Sequence, residues 1–164
     1  MQTSRGITLI ELCFGMAIVA VLAGMAAPGF RMSLRAAAVR SATFELVAGL
    51  QQARGNSIVE SRPGILCPSD AAGACLPAGM PSSHWQWSVE PAAGPAPAHA
   101  EALPAGVTLR ATRSPIRFWP DALGATNGTL TICDLRGVAP PRAIVVSVSG
   151  RPRTAFAPDS ACRS

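Results

Sequence analysis

The chain has 164 residues, which leaves room for one domain and an appendage and excludes two full domains. Apolar residues make up 49% and charged residues 14%, a low charge that partly reflects one long apolar segment near the N-terminus. The net charge is +5 and every basic residue is an arginine. Residues 107–164 hold eight arginines against three aspartates, and this basic C-terminal part suggests a polyanionic partner.

Residues 1–6 are polar and end in glycine, and residues 7–30 are almost wholly apolar. As a helix, such a run can cross the roughly 30 Å hydrocarbon core of a membrane. A secretory signal peptide is the rival interpretation, because residues 23–27 are small enough for a cleavage site. Glu11, the only charge in the run, argues against it. A carboxylate within a spanning helix costs about 2.5–3.5 kcal/mol, and a discarded signal has no use for it.

The string Gly6-Ile7-Thr8-Leu9-Ile10-Glu11 resembles the prepilin peptidase site of type IV pilins and type II secretion pseudopilins. The resemblance implies that the peptidase removes residues 1–6 by cutting after Gly6, and that the new N-terminus at Ile7 is methylated. It also implies that Glu11 pairs with the N-terminal amine of a neighbouring subunit during filament assembly, which gives a buried charge its partner. Pro28 fits the same family, whose helices bend at a proline.

We therefore expect residues 7–34 to form a transmembrane and filament-core helix in the inner membrane. The head would lie in the periplasm, and the protein would be assembled into a pilus or pseudopilus. The charge bias argues for the opposite orientation, since three arginines follow the span and only Arg5 precedes it. The cleavage motif and the cysteines outside the span override that bias, because both require the C-terminal part outside the cytoplasm.

Residues 35–164 are assigned to the head, with an amphipathic helix at 35–61 and a β-sheet region at 64–164. Within the helix, a stripe recurs at three- and four-residue steps and predicts packing against a sheet: Val39, Leu46, Val47, Leu50, Ala53 and Ser57. Arg62-Pro63-Gly64 ends the helix.

The β-sheet region predicts seven short strands separated by turn residues. These strands are Gly64–Cys67, Trp85–Glu90, Val107–Thr112, Ile116–Trp119, Thr129–Cys133, Ala143–Ser149 and Arg153–Phe156. Residues 91–106, rich in proline and alanine, predict a long surface loop that contains His99. The predicted fold class is α+β: a pilin fold with a long N-terminal helix packed on a mostly antiparallel β head.

The head resembles the GspH/FimT family of minor pilins and pseudopilins. The stretches that carry the resemblance are Gln52-Ala53-Arg54, Leu66-Cys67-Pro68-Ser69, Trp85, Trp87, Asn127-Gly128-Thr129, Cys133-Asp134, Ile144-Val145-Val146 and Ser149-Gly150-Arg151-Pro152-Arg153. The cysteines and the final Gly-Arg-x-Arg segment are more similar to the FimT branch than to the secretion pseudopilins.

Alongside this resemblance we predict two disulfides, Cys67–Cys75 and Cys133–Cys162. An even number of cysteines beyond a membrane segment indicates an oxidising compartment. A metal site is the rival, but no cysteine pair has a short zinc-type spacing and only two histidines are available, so we predict no metal and no cofactor. Cys13, inside the apolar run, is a packing residue that faces lipid or another helix.

No catalytic constellation emerges, because the sequence has no glycine-rich phosphate loop, no paired carboxylates and no nucleophile with a histidine partner. We therefore predict a protein that is not an enzyme. Trp85, Trp87 and Trp119 are assigned to the core or a sheet edge, and contact with a ligand is left open as the alternative.

The segment Gly150-Arg151-Pro152-Arg153 has the clearest binding chemistry. Pro152 lacks an N–H group, so the segment is not a central strand. In an extended stretch, side chains two residues apart point to the same side, and Arg151 and Arg153 would form a two-pronged cationic edge. Guanidinium groups suit phosphate oxygens and read no sequence. Arg142 and Arg163 are further candidates for the same surface, and a solvated basic turn is the alternative.

FimT-type minor pilins with this motif are associated with DNA binding during natural transformation. The resemblance thus implies a minor type IV pilin that binds double-stranded DNA non-specifically during DNA uptake. Its other partners would be further pilins and minor pilins, the prepilin peptidase and the inner membrane. Two alternatives stay open: a type II secretion pseudopilin of GspH type, and a purely structural pilus-assembly minor pilin without DNA binding.

Overall fold

The computed structural model describes residues 8–91, 99–121 and 124–163. Gly6 and Ile7, where we predict cleavage and methylation, lie outside these residues. The chain divides into two compact units, one that ends at Leu34 and one that begins at Arg35. The two units differ in how their apolar side chains are covered.

In the first unit, nearly all described residues belong to one helix, α1 (Leu9–Val59). The large apolar side chains between Leu9 and Leu34 whose exposure is described are each at least 54% exposed. Among the described residues no single straight helix is long and apolar enough to cross a membrane. The segments Leu9–Met25 and Gly29–Val59 pass that test together across a bend, by length and composition. Pro28, at which the sequence predicts a bend, lies between these two segments.

In the second unit, the rest of α1 carries a buried stripe at three- and four-residue steps, as predicted. Its members, each no more than 1% exposed, are Val39, Ala42, Leu46, Leu50 and Ala53. Gly49 lies beside this stripe, and a Cβ atom at Gly49 would clash with the indole ring of Trp85. A glycine is therefore needed for Trp85 to pack against the helix.

Within the described residues, eight strands follow the helix: β1 (Gly64–Ser69), β2 (His84–Val89), β3 (His99–Ala102), β4 (Val107–Ala111), β5 (Ile116–Phe118), β6 (Gly128–Asp134), β7 (Arg142–Val146) and β8 (Pro152–Phe156). They form two four-stranded antiparallel sheets, with strand orders β3-β2-β1-β5 and β4-β6-β7-β8. A short 3-10 helix, Asp159–Cys162, follows β8. The predicted α+β pilin fold is confirmed.

The core lies between α1 and one face of each sheet. Leu66 and Trp85 come from the first sheet, and Leu130 and Ile144 from the second; all four are at most 1% exposed. They belong to the same hydrophobic cluster as the helix stripe. Because this cluster lies wholly within residues 39–146, the second unit has its own core.

Both predicted disulfides are present. Cys67–Cys75 joins β1 to the loop that follows it, with Cα atoms 5.6 Å apart. Cys133–Cys162 joins β6 to the 3-10 helix, with Cα atoms 5.8 Å apart. The second bridge fixes the described end of the chain to a central strand of its sheet.

The predicted loop at 91–106 is wrong at residues 99–102, where β3 pairs with β2. His99, expected in a loose loop, begins this strand and stacks on Trp87, with ring centroids 4.3 Å apart. Composition alone suggested a loop, but the free hydrogen-bonding groups along β2 and the aromatic contact favour a strand.

All seven predicted strands are confirmed, with ends that shift by up to three residues. The largest shift is in Ala143–Ser149, which ends at Val146 because residues 147–150 form the turn into β8. A run of apolar and hydroxyl residues looks like strand from its β propensity, although the backbone bonds of Ser147 and Gly150 already close a turn.

Candidate functional site

The turn between β7 and β8 is closed by backbone bonds and by one serine side chain. The Gly150 N–H donates to the Ser147 carbonyl at 2.8 Å, and the Ser147 N–H donates to the Arg151 carbonyl at 3.2 Å. The Arg151 N–H donates to the Ser147 hydroxyl at 3.2 Å. Gly150 has φ +72° and its missing Cβ would touch Phe118, so a side chain there would be strained. The turn therefore holds the backbone of Arg151 in one conformation.

The strand β8 lies at the edge of its sheet, which confirms that Pro152 excludes a central strand. Arg153 pairs with Val145 of β7. The next residue of β7, Ile144, is fully buried in the core. Because side chains alternate along a strand, the Cβ of Arg153 lies on the face of the sheet that points away from the core, where its side chain is exposed.

Arg151 is placed differently from Arg153. It precedes β8, lies in the turn, and lines a groove between the turn and α1. We call this the Arg54–Arg151 groove; its lining residues are Gln51, Arg54, Gly55, Ile58, Gly150, Arg151 and Pro152. Arg153 is not among the residues that line this groove. The Ser147–Arg151 backbone bond continues the register of the β7–β8 ladder, in which Val145 faces Arg153, and the two-pronged edge of Arg151 and Arg153 stays a prediction.

The two further candidate arginines lie elsewhere. Arg142 pairs with Phe156 at the other end of the β7–β8 ladder, and its guanidinium carbon lies 4.8 Å from the centre of that ring. Arg163 lines a separate cavity together with Asp134 and Asp159. The structure thus does not gather Arg142 and Arg163 into one surface with Arg151, because the strand length and the 3-10 helix separate them.

The arginines of the head differ in whether a carboxylate lies within ion-pair distance of the guanidinium group. Within the described chain, neither Arg151 nor Arg153 has a carboxylate within ion-pair distance, and both side chains are exposed. By contrast, Arg117 pairs with Glu90 at 2.8 Å. Two guanidinium groups at the edge of the head are thus open to an external anion.

Arg54 was part of the family resemblance but was assigned no role from the sequence. The structure places it on α1, half-buried, with its Nη1 3.5 Å from the carbonyl oxygen of Gly150. It therefore faces the same turn as Arg151, from a residue 96 positions earlier in the chain. The helical pattern does show that Arg54 lies off the buried stripe, but only the folded chain shows what lies opposite it.

The three tryptophans occupy different settings. Trp85 is 1% exposed and belongs to the core. Trp87 is half-buried under His99. Trp119 is 42% exposed beyond the end of β5. The assignment to the core therefore fits Trp85 and also Trp87, which packs against the core cluster from β2, and Trp119 is a surface residue.

Glu11, the residue predicted to act in assembly, lies in the first turn of α1. Its carboxylate accepts long bonds from the Thr8 N–H and the Thr8 hydroxyl, both at 3.5 Å. The side chain is exposed, and within the described residues it has no cationic partner. The carboxylate is thus available to a group from outside the chain.

Comparison with known proteins gives two results that agree. A family model described as type II transport protein GspH matches residues 42–150, about two thirds of the chain. Two crystal structures of the type IV minor pilin FimU from Pseudomonas aeruginosa strain PAO1, in space groups P65 and P21, match with TM-scores of 0.50 each.

The FimU structures are 18% and 21% identical to this chain, and the matches cover 74% of it. They cover 94% and 90% of the FimU chains, so the likeness extends over nearly the whole solved domain. At this identity the likeness establishes the fold. Comparison with curated protein sequences gives no match.

Proposed function

The chain belongs to the GspH/FimT family of type IV pilin-like proteins, and on that basis we propose that it is a FimT-type minor pilin that binds double-stranded DNA without sequence preference during DNA uptake. The family and the fold are those of structural filament components rather than of known enzymes. The observation that carries the DNA proposal is the pair of exposed arginines, Arg151 and Arg153, that have no ion-pair partner in the described chain.

The filament role rests on the first unit. An apolar helix whose described side chains find no cover within the unit needs lipid or other helices around it. We propose that the prepilin peptidase cuts after Gly6, that Ile7 is methylated, and that residues 7–34 hold the protein in the inner membrane before assembly. The head then lies in the periplasm, where its two disulfides form.

The DNA role rests on the edge of the head. Guanidinium groups bind phosphate oxygens through paired N–H donors, and such contacts give affinity that is independent of base sequence. Non-specific binding of this kind has dissociation constants of about 10⁻⁴–10⁻⁶ M at physiological salt. Because Arg151 lines the groove and Arg153 lies on β8 outside it, we expect them to contact two separate phosphates rather than one.

The test is DNA binding by the head, residues 35–164, which has its own core and both disulfides. Each phosphate contact contributes about 0.9 to the slope of log K against log salt. Arg151→Gln and Arg153→Gln should each weaken binding and lower the slope by about 0.9, with additive effects in the double variant. The effects should be the same on unrelated DNA sequences.

Arg40→Gln is the matched control, since Arg40 is an exposed arginine of the same head that lies outside the groove and the β8 edge. It removes the same charge and should leave the slope nearly unchanged. Thermal unfolding checks that each variant is folded. A folded double variant that binds DNA as the parent does, with the same salt slope, would contradict the DNA proposal.

A type II secretion pseudopilin is the second candidate, and the match to the GspH family model favours it. A strain that lacks the gene distinguishes the two. We expect it to lose transformation and keep type II secretion, and we expect R151Q/R153Q to restore filaments but not transformation. Loss of secretion with transformation intact would support the pseudopilin instead. Normal transformation with R151Q/R153Q would support a structural minor pilin.

A further inference from the structure

The Arg54–Arg151 groove combines features that the fold does not require. None of its lining residues in the described chain is acidic, although two of them are arginines. Arg54 is half-buried, and its one described side-chain bond is a long contact to the Gly150 carbonyl at 3.5 Å. Like charges that share a groove repel each other, and an anion bound between them would relieve that repulsion.

Gly55 gives a second indication. It lies inside α1, where glycine is a poor helix former compared with alanine. A Cβ atom at Gly55 would have no atom within 4 Å, so packing within the head does not require a glycine there. The missing side chain instead keeps the groove open between Gln51 and Ile58, which lie on the same part of the helix.

We propose that the Arg54–Arg151 groove is an anion site that takes one phosphate group of the nucleic-acid backbone, with Arg54 and Arg151 as its two prongs. This inference rests on the proposed DNA binding and adds a partner to it: Arg151 acts with Arg54 across the groove. Arg153 contacts a different phosphate on the outer face of the sheet. The nucleic acid would therefore pass over the β7–β8 turn.

The chemistry of the walls fits this occupant. Both arginines present N–H donors, and the Gln51 amide adds another donor at the helix side. Ile58, 47% exposed, and the ring of Pro152 give apolar surface beside the cationic pair. A phosphodiester has both characters, since its charged oxygens are flanked by the apolar carbons of the sugar. A carboxylate from a neighbouring subunit is the competing occupant.

The DNA arm of the test uses the head with a mixed-sequence duplex across a salt series. Arg54→Gln should lower the salt slope by about 0.9, as Arg151→Gln does. Because both arginines hold the same phosphate, R54Q/R151Q should lower it by no more than either single variant. R54Q/R153Q should be additive. Arg40→Gln again controls for the loss of one helix charge.

The second arm leaves all charges in place. Gly55→Leu fills the groove without removing an arginine, and leucine is the better helix former, so the head stays folded. We expect Gly55→Leu to weaken DNA binding as much as Arg54→Gln does. Parent-like binding by folded Gly55→Leu and Arg54→Gln, with Arg151→Gln still impaired, would overturn the groove and leave the DNA function standing.

The third arm uses inorganic phosphate and acetate as probes, read by NMR of the arginine side-chain Nε–H groups. Phosphate should shift the Arg54 and Arg151 signals together and saturably, and leave Arg40 unmoved. If phosphate does so but the parent head binds no DNA, the anion site stands and the proposed function fails. If phosphate moves neither signal, the groove is not a phosphate site. The nucleotide phosphate is also the wrong occupant if acetate moves both signals equally well and Gly55→Leu blocks filament incorporation without affecting DNA binding.

Discussion

The two units of the chain cover their apolar side chains in opposite ways. Between Leu9 and Leu34, the described large apolar residues are more than half exposed. From Arg35 onward, the helix stripe and the two sheets bury a shared core, and two disulfides fix the loops around it. The second unit therefore has a core of its own, whereas the described large apolar side chains of the first unit are not covered within it.

The two parts of α1 therefore differ in what their side chains can contact within the chain. In the first unit, the roles that we propose for side chains involve partners outside the chain, and each was predicted from its place in the sequence. In the second unit each side chain acts on residues far away in the sequence, such as Gly49 on Trp85. Substitutions should therefore affect stability in one unit and assembly in the other, and matched pairs of variants can test that division.

A phenylalanine pair should show the largest difference. Phe118 is 1% exposed and Phe14 is 66% exposed. Phe118→Ala should lower the free energy of unfolding by about 3–5 kcal/mol, because it leaves a cavity in the core. Phe14→Ala should change it by less than about 0.5 kcal/mol. Urea unfolding of the full chain in detergent micelles measures both, since all three tryptophans lie in the head and report on that unit alone.

Equal effects of the two phenylalanine variants would break the comparison, because they would show that the exposed part of α1 contributes to the stability of the head. Retained stability in Phe118→Ala would show that the core between the helix and the sheets is not closed as described. Leu22→Ala and Leu46→Ala, at 60% and 0% exposure, repeat the test with an aliphatic side chain.

The cysteines give a somewhat smaller effect. Removing Cys133–Cys162 (C133A/C162A) opens a bridge between residues 29 positions apart and should cost about 3.6 kcal/mol by loop-closure entropy. Removing Cys67–Cys75 (C67A/C75A), with a separation of eight, should cost about 2.6 kcal/mol. The same urea titration under non-reducing conditions gives both values.

Cys13→Ser is the control from the first unit, where Cys13 is exposed and unpaired. It should leave the unfolding midpoint of the head unchanged. If removing Cys67–Cys75 lowered the free energy of unfolding more than removing Cys133–Cys162, the order predicted from loop-closure entropy would be wrong. That result would indicate that the bonds donated by the Gln86 amide to both sulfur atoms, at 3.4 and 3.2 Å, matter more than loop length.

Much of the fold could be predicted because patterns within short segments of the sequence determine it. The three- and four-residue spacing of the stripe at residues 39–57 fixes which side of α1 packs inward, and alternation marks the strands. The strand β3 could not be predicted in the same way. Its partner is β2, and the stacking of His99 on Trp87 depends on a pairing that neither segment shows alone.

The candidate site, too, could be predicted only where its residues are close together in the sequence. Arg151 and Arg153 were identified from four consecutive residues, and their exposure fits that identification. The sequence does not show that β8 begins at Pro152, so that Arg151 lies in the turn and lines the groove while Arg153 lies on the strand. Arg54 was out of reach because the turn that it faces is 96 residues away.

The smallest expected effect on stability belongs to Glu11. We expect Glu11→Ala to leave the unfolding of the head unchanged, since Glu11 bonds only to Thr8 within the described residues. Cleavage should also continue, so that mass spectrometry of the membrane fraction finds a mature chain that begins at Ile7. Incorporation into filaments should fall sharply, because the amine of a neighbouring subunit would lose its carboxylate partner in an apolar environment.

Leu12→Ala is the matched control for Glu11→Ala, because it shortens the neighbouring side chain of the same helix, 56% exposed, without removing a charge. It should be incorporated nearly as well as the parent. Glu11→Gln, which keeps the shape and loses the charge, should fail as Glu11→Ala does. If Glu11→Gln assembles normally while Glu11→Ala fails, the carboxylate acts through shape and hydrogen bonding rather than through charge. If both assemble normally and the mature chain begins near Ala27, the apolar run is a signal peptide, and the first unit has no part in a filament.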